Sequence, residues 1–148
     1  MNEEWLKYRE KLSKKRKEFN ESLDKNRKME IITAWVSEFS SEVNELAIRS
    51  EANENISISM HDLNVGWEII LGVLLATDNK NCLGKLGCWH LEDWLAMHSE
   101  AAVELAEQYA TKSTKFRRVL SRVYQNDLTN EQYARIKAVA LHDGFFEI

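Results

Sequence analysis

The stretch from Trp67 to His98, WEIILGVLLATDNKNCLGKLGCWHLEDWLAMH, limits the possible folds more than any other part of the chain. Trp67, Ile70, Leu71, Leu74 and Leu75 fall on one face of a helix, and Ile69 and Val73 widen that face almost all round. A helix apolar over so much of its circumference belongs in the middle of a core. After a polar stretch, Trp89, Leu91, Trp94, Leu95 and Met97 begin a second apolar helix, which places three of the five tryptophans in this unit. Burying each such side chain contributes roughly 1.5–3 kcal/mol, so the hairpin is expected to nucleate the fold. Between the two segments, TDNKNCLGKLG reads as a turn through Asn79, Asn81, Gly84 and Gly87.

The flanking sequence is helical as well. The chain has no proline, where about seven would be average for its length. Residues 3–25 carry a narrow stripe of Trp5, Leu12 and Phe19, with Tyr8 between, and read as a basic arm that either docks on the bundle or self-associates into a homodimer. From Met29 to about Ser50, Ile32, Trp35, Val36, Phe39, Val43, Leu46 and Ala47 make a core-facing helix with Glu38, Glu42 and Glu45 outside. Residues 50–64 lose the helical period and read as a connection, with Ile56 to Met60 the nearest approach to a strand; Asp62 or Asn64 caps the helix that begins near Val65. Ser99 is placed to cap a helix with Glu100 in its first turn. Ser113 or Thr114 opens another helix, with Phe116, Val119, Leu120, Val123 and Tyr124 on one face. Thr129 and Gln132 have the spacing of a capping box for a last helix through Tyr133, Ile136, Ala140 and Leu141 that Gly144 stops, after which the apolar tail packs down. The fold expected is all-α: one domain over 1–148, an irregular bundle or short stack of helical hairpins of about six or seven helices, with 65–140 as its core.

The net charge is −4, but it is unevenly laid out. Residues 1–28 hold ten basic and six acidic side chains, residues 29–111 three and fourteen, and residues 112–148 seven and four, which gives +4, −11 and +3. An acidic body between basic ends implies that the ends lie near acidic surface within the fold or that the acidic face meets a basic partner, beside the plainer reading of a solvated surface. The start lacks an apolar leader, and the longest apolar run, Ile69 to Ala76, is too short to span a bilayer, so a cytoplasmic protein without membrane contact is expected. Cys82 and Cys88 read as free thiols.

Candidate chemistry is sparse. Walker, dinucleotide-binding, G-x-S-x-G and H-E-x-x-H patterns are absent. Cys82, Cys88, His90, Glu92, Asp93 and His98 cluster in sequence, but the spacings do not fit paired zinc ligands, and the helix dipole accounts for the acids at the start and the histidine at the end. No metal or other cofactor is expected. The KKRK run at 14–17 lacks interleaved aromatics, so nucleic acid is not expected as a partner, and Lys115, Arg117, Arg118 and Arg122 read as a solvated basic row. Arg135 and His142, with six residues between them on a late helix, resemble the R-x4-6-H signature of the HEPN ribonucleases. That resemblance implies a dimer in which two subunits contribute the pair to a site for metal-independent RNA cleavage, with arginine stabilising a phosphorane-like charge and histidine moving the proton.

The pattern W-E-x-I-x-x-x-L at Trp67 to Leu74, G-x-x-x-L-E-D-W-L-x-x-H at Gly87 to His98 and F-R-R-x-L-x-x-V-Y at Phe116 to Tyr124 resembles an uncharacterised family of small helical bacterial proteins. Tyr124 stands where tryptophan is usual, and Cys88 to His90 where small residues and proline are usual. The resemblance implies a helical fold and a bacterial source, and no activity. The function expected is therefore non-catalytic: an immunity or antitoxin-like inhibitor that occludes a basic toxin domain through Glu38, Glu42, Glu45, Glu100, Glu104 and Glu107. The alternatives are the ribonuclease of Arg135 and His142, and a structural oligomerisation module.

Overall fold

A computed structural model of the chain describes residues 2–41 and 49–147. Among them every regular element is helical. The elements are α1 (Glu3–Glu21), α2 (Lys25–Phe39), α3 (Glu51–Ser59), α4 (Leu63–Ala76), α5 (Lys80–Lys85), a π-helical segment (Leu86–Leu91), α6 (Glu92–Ala110), α7 (Thr114–Leu120) and α8 (Asn130–Val139). No described helix is long and apolar enough to cross a membrane.

The central pair forms as the sequence implies. α4 buries Ile69, Ile70, Val73 and Leu74, and α6 buries Trp94 and Leu95. Trp67 stacks on Trp94 at 5.1 Å with 12° between the ring planes, and meets Tyr109 and Phe116 edge-on at 5.6 Å each. Such arrangements add about 0.5–1.5 kcal/mol per pair beyond the area they bury. Leu75 departs from the expected core face: it is 84% exposed at the end of α4. Met97 is 44% exposed, and Tyr124 is exposed as well.

The helix caps follow local chemistry. Asp62 accepts from the amides of Asn64 and Val65, Ser113 from Phe116, and Thr129 and Gln132 close the capping box of α8. Each cap stabilises its helix by about 1 kcal/mol.

Several boundaries differ from expectation. Residues 50–64 are not a plain connection, because Ser50 caps α3 by accepting from the Asn53 amide, with Glu51 and Glu54 in its first turn. The apolar period is hidden there because the buried face of α3 carries Asn53 and Ser59 beside Ile56. α2 starts at Lys25 under an Asp24 cap and ends at Phe39. The expected extension of that helix through Val43, Leu46 and Ala47 lies outside the described residues, as do Glu42 and Glu45. The turn after α4 shrinks to Thr77–Asn79, since Asn79 caps α5 by accepting from the Cys82 amide and the chain stays helical from Lys80 into α6. Gly87 lies inside the π-helical segment, and the close approach of the chain at and after α7 requires a glycine there: a Cβ would meet the Val119 carbonyl oxygen at 2.6 Å and Arg122 Cβ at 2.7 Å. Ser99 breaks α6 as a kink, with φ of 48°. α8 stops at Val139, where Ala140 turns extended and the Leu141 amide donates to the Arg117 carbonyl at 2.9 Å.

α1 packs against α3. Asn20 is buried there and its amide donates to the Ile58 carbonyl at 3.2 Å. Along the stripe, Leu12 and Phe19 are half-buried while Trp5 and Tyr8 stand out in solvent, so the first turns of α1 extend past the body.

Candidate functional site

Of the expected acidic contacts Glu42 and Glu45 lie outside the described residues, and those on α6 are partly engaged within the fold. Glu100, Glu104 and Glu107 lie along one side of α6, where helical periodicity puts them. Arg135 projects onto that side from α8, whose face toward α6 is set by the buried Ile136. Its Nε donates to both Glu107 oxygens at 3.2 Å, its Nη2 donates to the same carboxylate, and its Nη1 donates to Glu100 at 2.5 Å. The Arg135 guanidinium, followed by the amide of Gln132, holds the Glu100 carboxyl below the usual carboxylate range. Two of the expected partner contacts are thus engaged inside the molecule, and Glu104 remains exposed beside them. Glu38, on α2, is half-buried.

The structure separates the two residues of the ribonuclease signature. His142 lies beyond the end of α8, is exposed, and lines a shallow depression with Ser121, Arg122 and Asp143, whereas Arg135 faces α6.

His90 and His98 likewise turn to different partners. His98 Nε2–H donates to the Met60 carbonyl at 2.7 Å. His90, 1% exposed, donates from Nε2 to Asn53 Oδ1 at 2.7 Å, and Trp35 Nε1–H donates to the same oxygen at 3.0 Å. Burial holds the His90 pKa down to about 4, and its Nδ1 has no hydrogen-bond partner. The ring is therefore neutral and structural, fixing α2, α3 and the π-helical segment to one another. Glu92 accepts from the Tyr124 amide at 2.7 Å, and burial pushes the carboxyls of Glu92 and Asp93 up. Among the described residues no three His, Cys, Asp or Glu side chains come together as metal ligands. Cys82 and Cys88 are both free thiols, and burial pushes each thiol pKa upward, Cys82 to about 11.

The basic row expected to be solvated is mostly used within the fold. Lys115 donates to the Leu74 carbonyl at the end of α4 and pairs with Asp78 at 2.8 Å. Arg117 Nε–H donates to the Val139 carbonyl at 2.9 Å, and Arg118 pairs with Asp143 at 2.8 Å. Arg122 differs. Its guanidinium lies over the Phe146 ring at 5.4 Å and forms no ion pair among the described residues. Lys80 lies over Phe145 at 4.9 Å and Lys85 over Trp89 at 4.6 Å. Sequence reasoning missed this grouping because the rings under Lys80 and Arg122 come from the tail, more than twenty residues from either cation.

These features define a small all-helical protein whose charged groups sit on its surface and whose polar interior is structural. The model of a family of unknown function, DUF6869, matches residues 40–144, and the chain belongs to that family. The three sequence segments from Trp67 to Tyr124 lie inside the match, which takes in α3 through α8 and leaves α1 and α2 outside. No curated protein and no solved structure matches the chain.

Proposed function

We propose that the chain is a non-catalytic binding protein that blocks a basic protein partner, in the manner of an immunity protein or antitoxin, through the acidic side of α6. One observation favours this reading over the ribonuclease: Arg135 is held by Glu107 and Glu100 along its guanidinium edges. An arginine so engaged has little left to offer a phosphorane-like charge, and His142 is turned to another part of the surface. The clamp also leaves an acidic surplus, since Glu100, Glu104 and Glu107 stand against the single charge of Arg135. Side chains fixed in advance lose less entropy on binding, so a held carboxylate suits recognition better than a free one.

The test is affinity capture of the tagged protein from its own host at low and high salt, beside Glu104→Lys, a charge reversal at an exposed residue outside the clamp. A stoichiometric basic partner, lost at high salt and with an association rate about tenfold lower for the variant, is the expected result. Recovery of the protein alone, or a partner bound equally by Glu104→Lys, overturns the reading. Cleavage of added RNA that disappears in His142→Ala would establish the ribonuclease instead.

A further inference from the structure

Lys80, Asn81, Gly84, Lys85, Arg122 and Phe146 enclose a surface concavity of about 220 Å³. Three cations converge on it and no carboxylate lines it. Four half-buried cations elsewhere on the body meet acids: Lys28 pairs with Glu68, Lys115 with Asp78, Arg118 with Asp143 and Arg135 with Glu100 and Glu107, whereas Arg117 meets a backbone carbonyl. Here the three are held by aromatic rings, Lys80 over Phe145, Lys85 over Trp89 and Arg122 over Phe146. A ring face positions a cation without cancelling its charge. Gathering like charges in one hollow costs Coulomb energy that an anion would recover. The carboxylates of Asp143 and Glu147 line the adjoining depression that shares Arg122 and Phe146, and Asp143 is paired there with Arg118.

From this geometry we infer that the concavity binds a phosphate monoester carrying a flat ring, the chemistry of a mononucleotide. Arg122 presents a fork suited to phosphoryl oxygens, and Lys80 and Lys85 supply point charges beside it. Three positive groups suit a dianion better than a single carboxylate. Phe146, half-buried, gives the wall an apolar surface for the ring of the ester. Gly84 forms the floor: a Cβ there would stand 3.7 Å from the Phe146 ring and 3.9 Å from Arg122 Nε, which is ordinary contact distance. The site is independent of the acidic side of α6, so it holds or falls apart from the proposed inhibition.

The same chemistry is carried by a free nucleotide and by the phosphorylated 5′ end of a nucleic acid strand. Titrations of the full chain with inorganic phosphate, AMP and a 5′-phosphorylated dinucleotide, followed by calorimetry and by amide NMR shifts of Lys80 to Lys85, separate these. AMP is expected to bind more tightly than inorganic phosphate. Lys85→Gln and Arg122→Gln are each expected to weaken AMP binding about tenfold. Gly84→Glu is expected to abolish it, because the backbone admits a Cβ there and the side chain brings a carboxylate among the three cations; its melting temperature reports that the variant is folded. A dinucleotide that binds more tightly than AMP identifies a strand end, and equal affinity identifies the free nucleotide. The inference is overturned if neither AMP nor phosphate binds saturably up to about 10 mM, or if a folded Gly84→Glu binds AMP as the wild type does.

Discussion

Arg135 and Arg122 are the same residue type on the same small surface, and the fold treats them in opposite ways. Arg135 is gripped by Glu107 and Glu100, so its charge is spent inside the molecule. Arg122 lies over the Phe146 ring, with Lys80 and Lys85 over their own rings close by, and that charge remains open to the outside. A carboxylate partner positions and neutralises, whereas an aromatic partner only positions. In a chain of net charge −4, the total says nothing about which cations are available. The partners decide that.

Acid should separate the two regions most strongly. The π-helical segment that carries Trp89, the ring beneath Lys85, also carries His90. Its pKa is near 4 in the fold, against an ordinary 6.5. The unfolded chain therefore binds the proton more readily, so this contribution is complete above pH 6.5 and is lost as pH falls toward 4, a change of about 3 kcal/mol. Urea unfolding at pH 7, 5.5 and 4.5 should show that loss, and a flat profile over this window would remove His90 as its cause. The clamp responds lower. Glu100 is held below the ordinary carboxylate range by Arg135, so its contribution is present above that range and lost only as pH falls through the depressed value. Carboxyl NMR should follow this, and Arg135→Gln should return the Glu100 titration toward its ordinary position.

Gly87→Ala comes next. The added Cβ would collide with the Val119 carbonyl and Arg122 Cβ, so the wall carrying Arg122 must move. Overpacking of this kind costs about 2 kcal/mol, or several degrees in melting temperature. The Arg135 clamp, on another pair of helices, should be untouched, which the Glu100 titration would report. Phe146→Ala removes the ring beneath Arg122, its edge contact with Phe145 and its packing against the edge of the core. A loss of about 1 kcal/mol is expected, with the Arg122 side-chain NMR signals becoming mobile. Unchanged signals would mean that the ring does not hold the guanidinium.

Much of the fold was legible, and what was missed shares one physical cause. The apolar faces of α4, α6 and α7 repeat at helical spacing and are legible apart from three exposed members, Leu75 at the end of α4, Met97 on α6 and Tyr124 beyond α7. Asp62, Ser113 and Thr129 cap helices because capping needs only residues a few positions apart. α3 was missed because Asn53 mimics loop chemistry while it is in fact a buried acceptor for Trp35 and His90, from helices on either side. The clamp and the ring-held cations were missed for a related reason. Arg135 is twenty-eight residues from Glu107, and Arg122 meets a tail ring that follows α8. Pairings set by tertiary packing leave no local period, and the same basic row contains both paired and unpaired members.

The smallest effect tests the contrast between two glycines three residues apart. Gly87 is closed by α7, whereas Gly84 faces the concavity, where a Cβ would find only ordinary contacts. In a helix, glycine costs roughly 0.5–1 kcal/mol relative to alanine because it leaves the unfolded backbone more freedom. With ordinary contacts to Phe146 and Arg122, Gly84→Ala should raise stability by about 0.5 kcal/mol, the low end of that range because α5 is short. A methyl group adds no charge, so AMP affinity should fall only slightly. A destabilised Gly84→Ala would mean that the concavity is narrower than its lining implies, and the room assigned to a phosphoryl group would go with it.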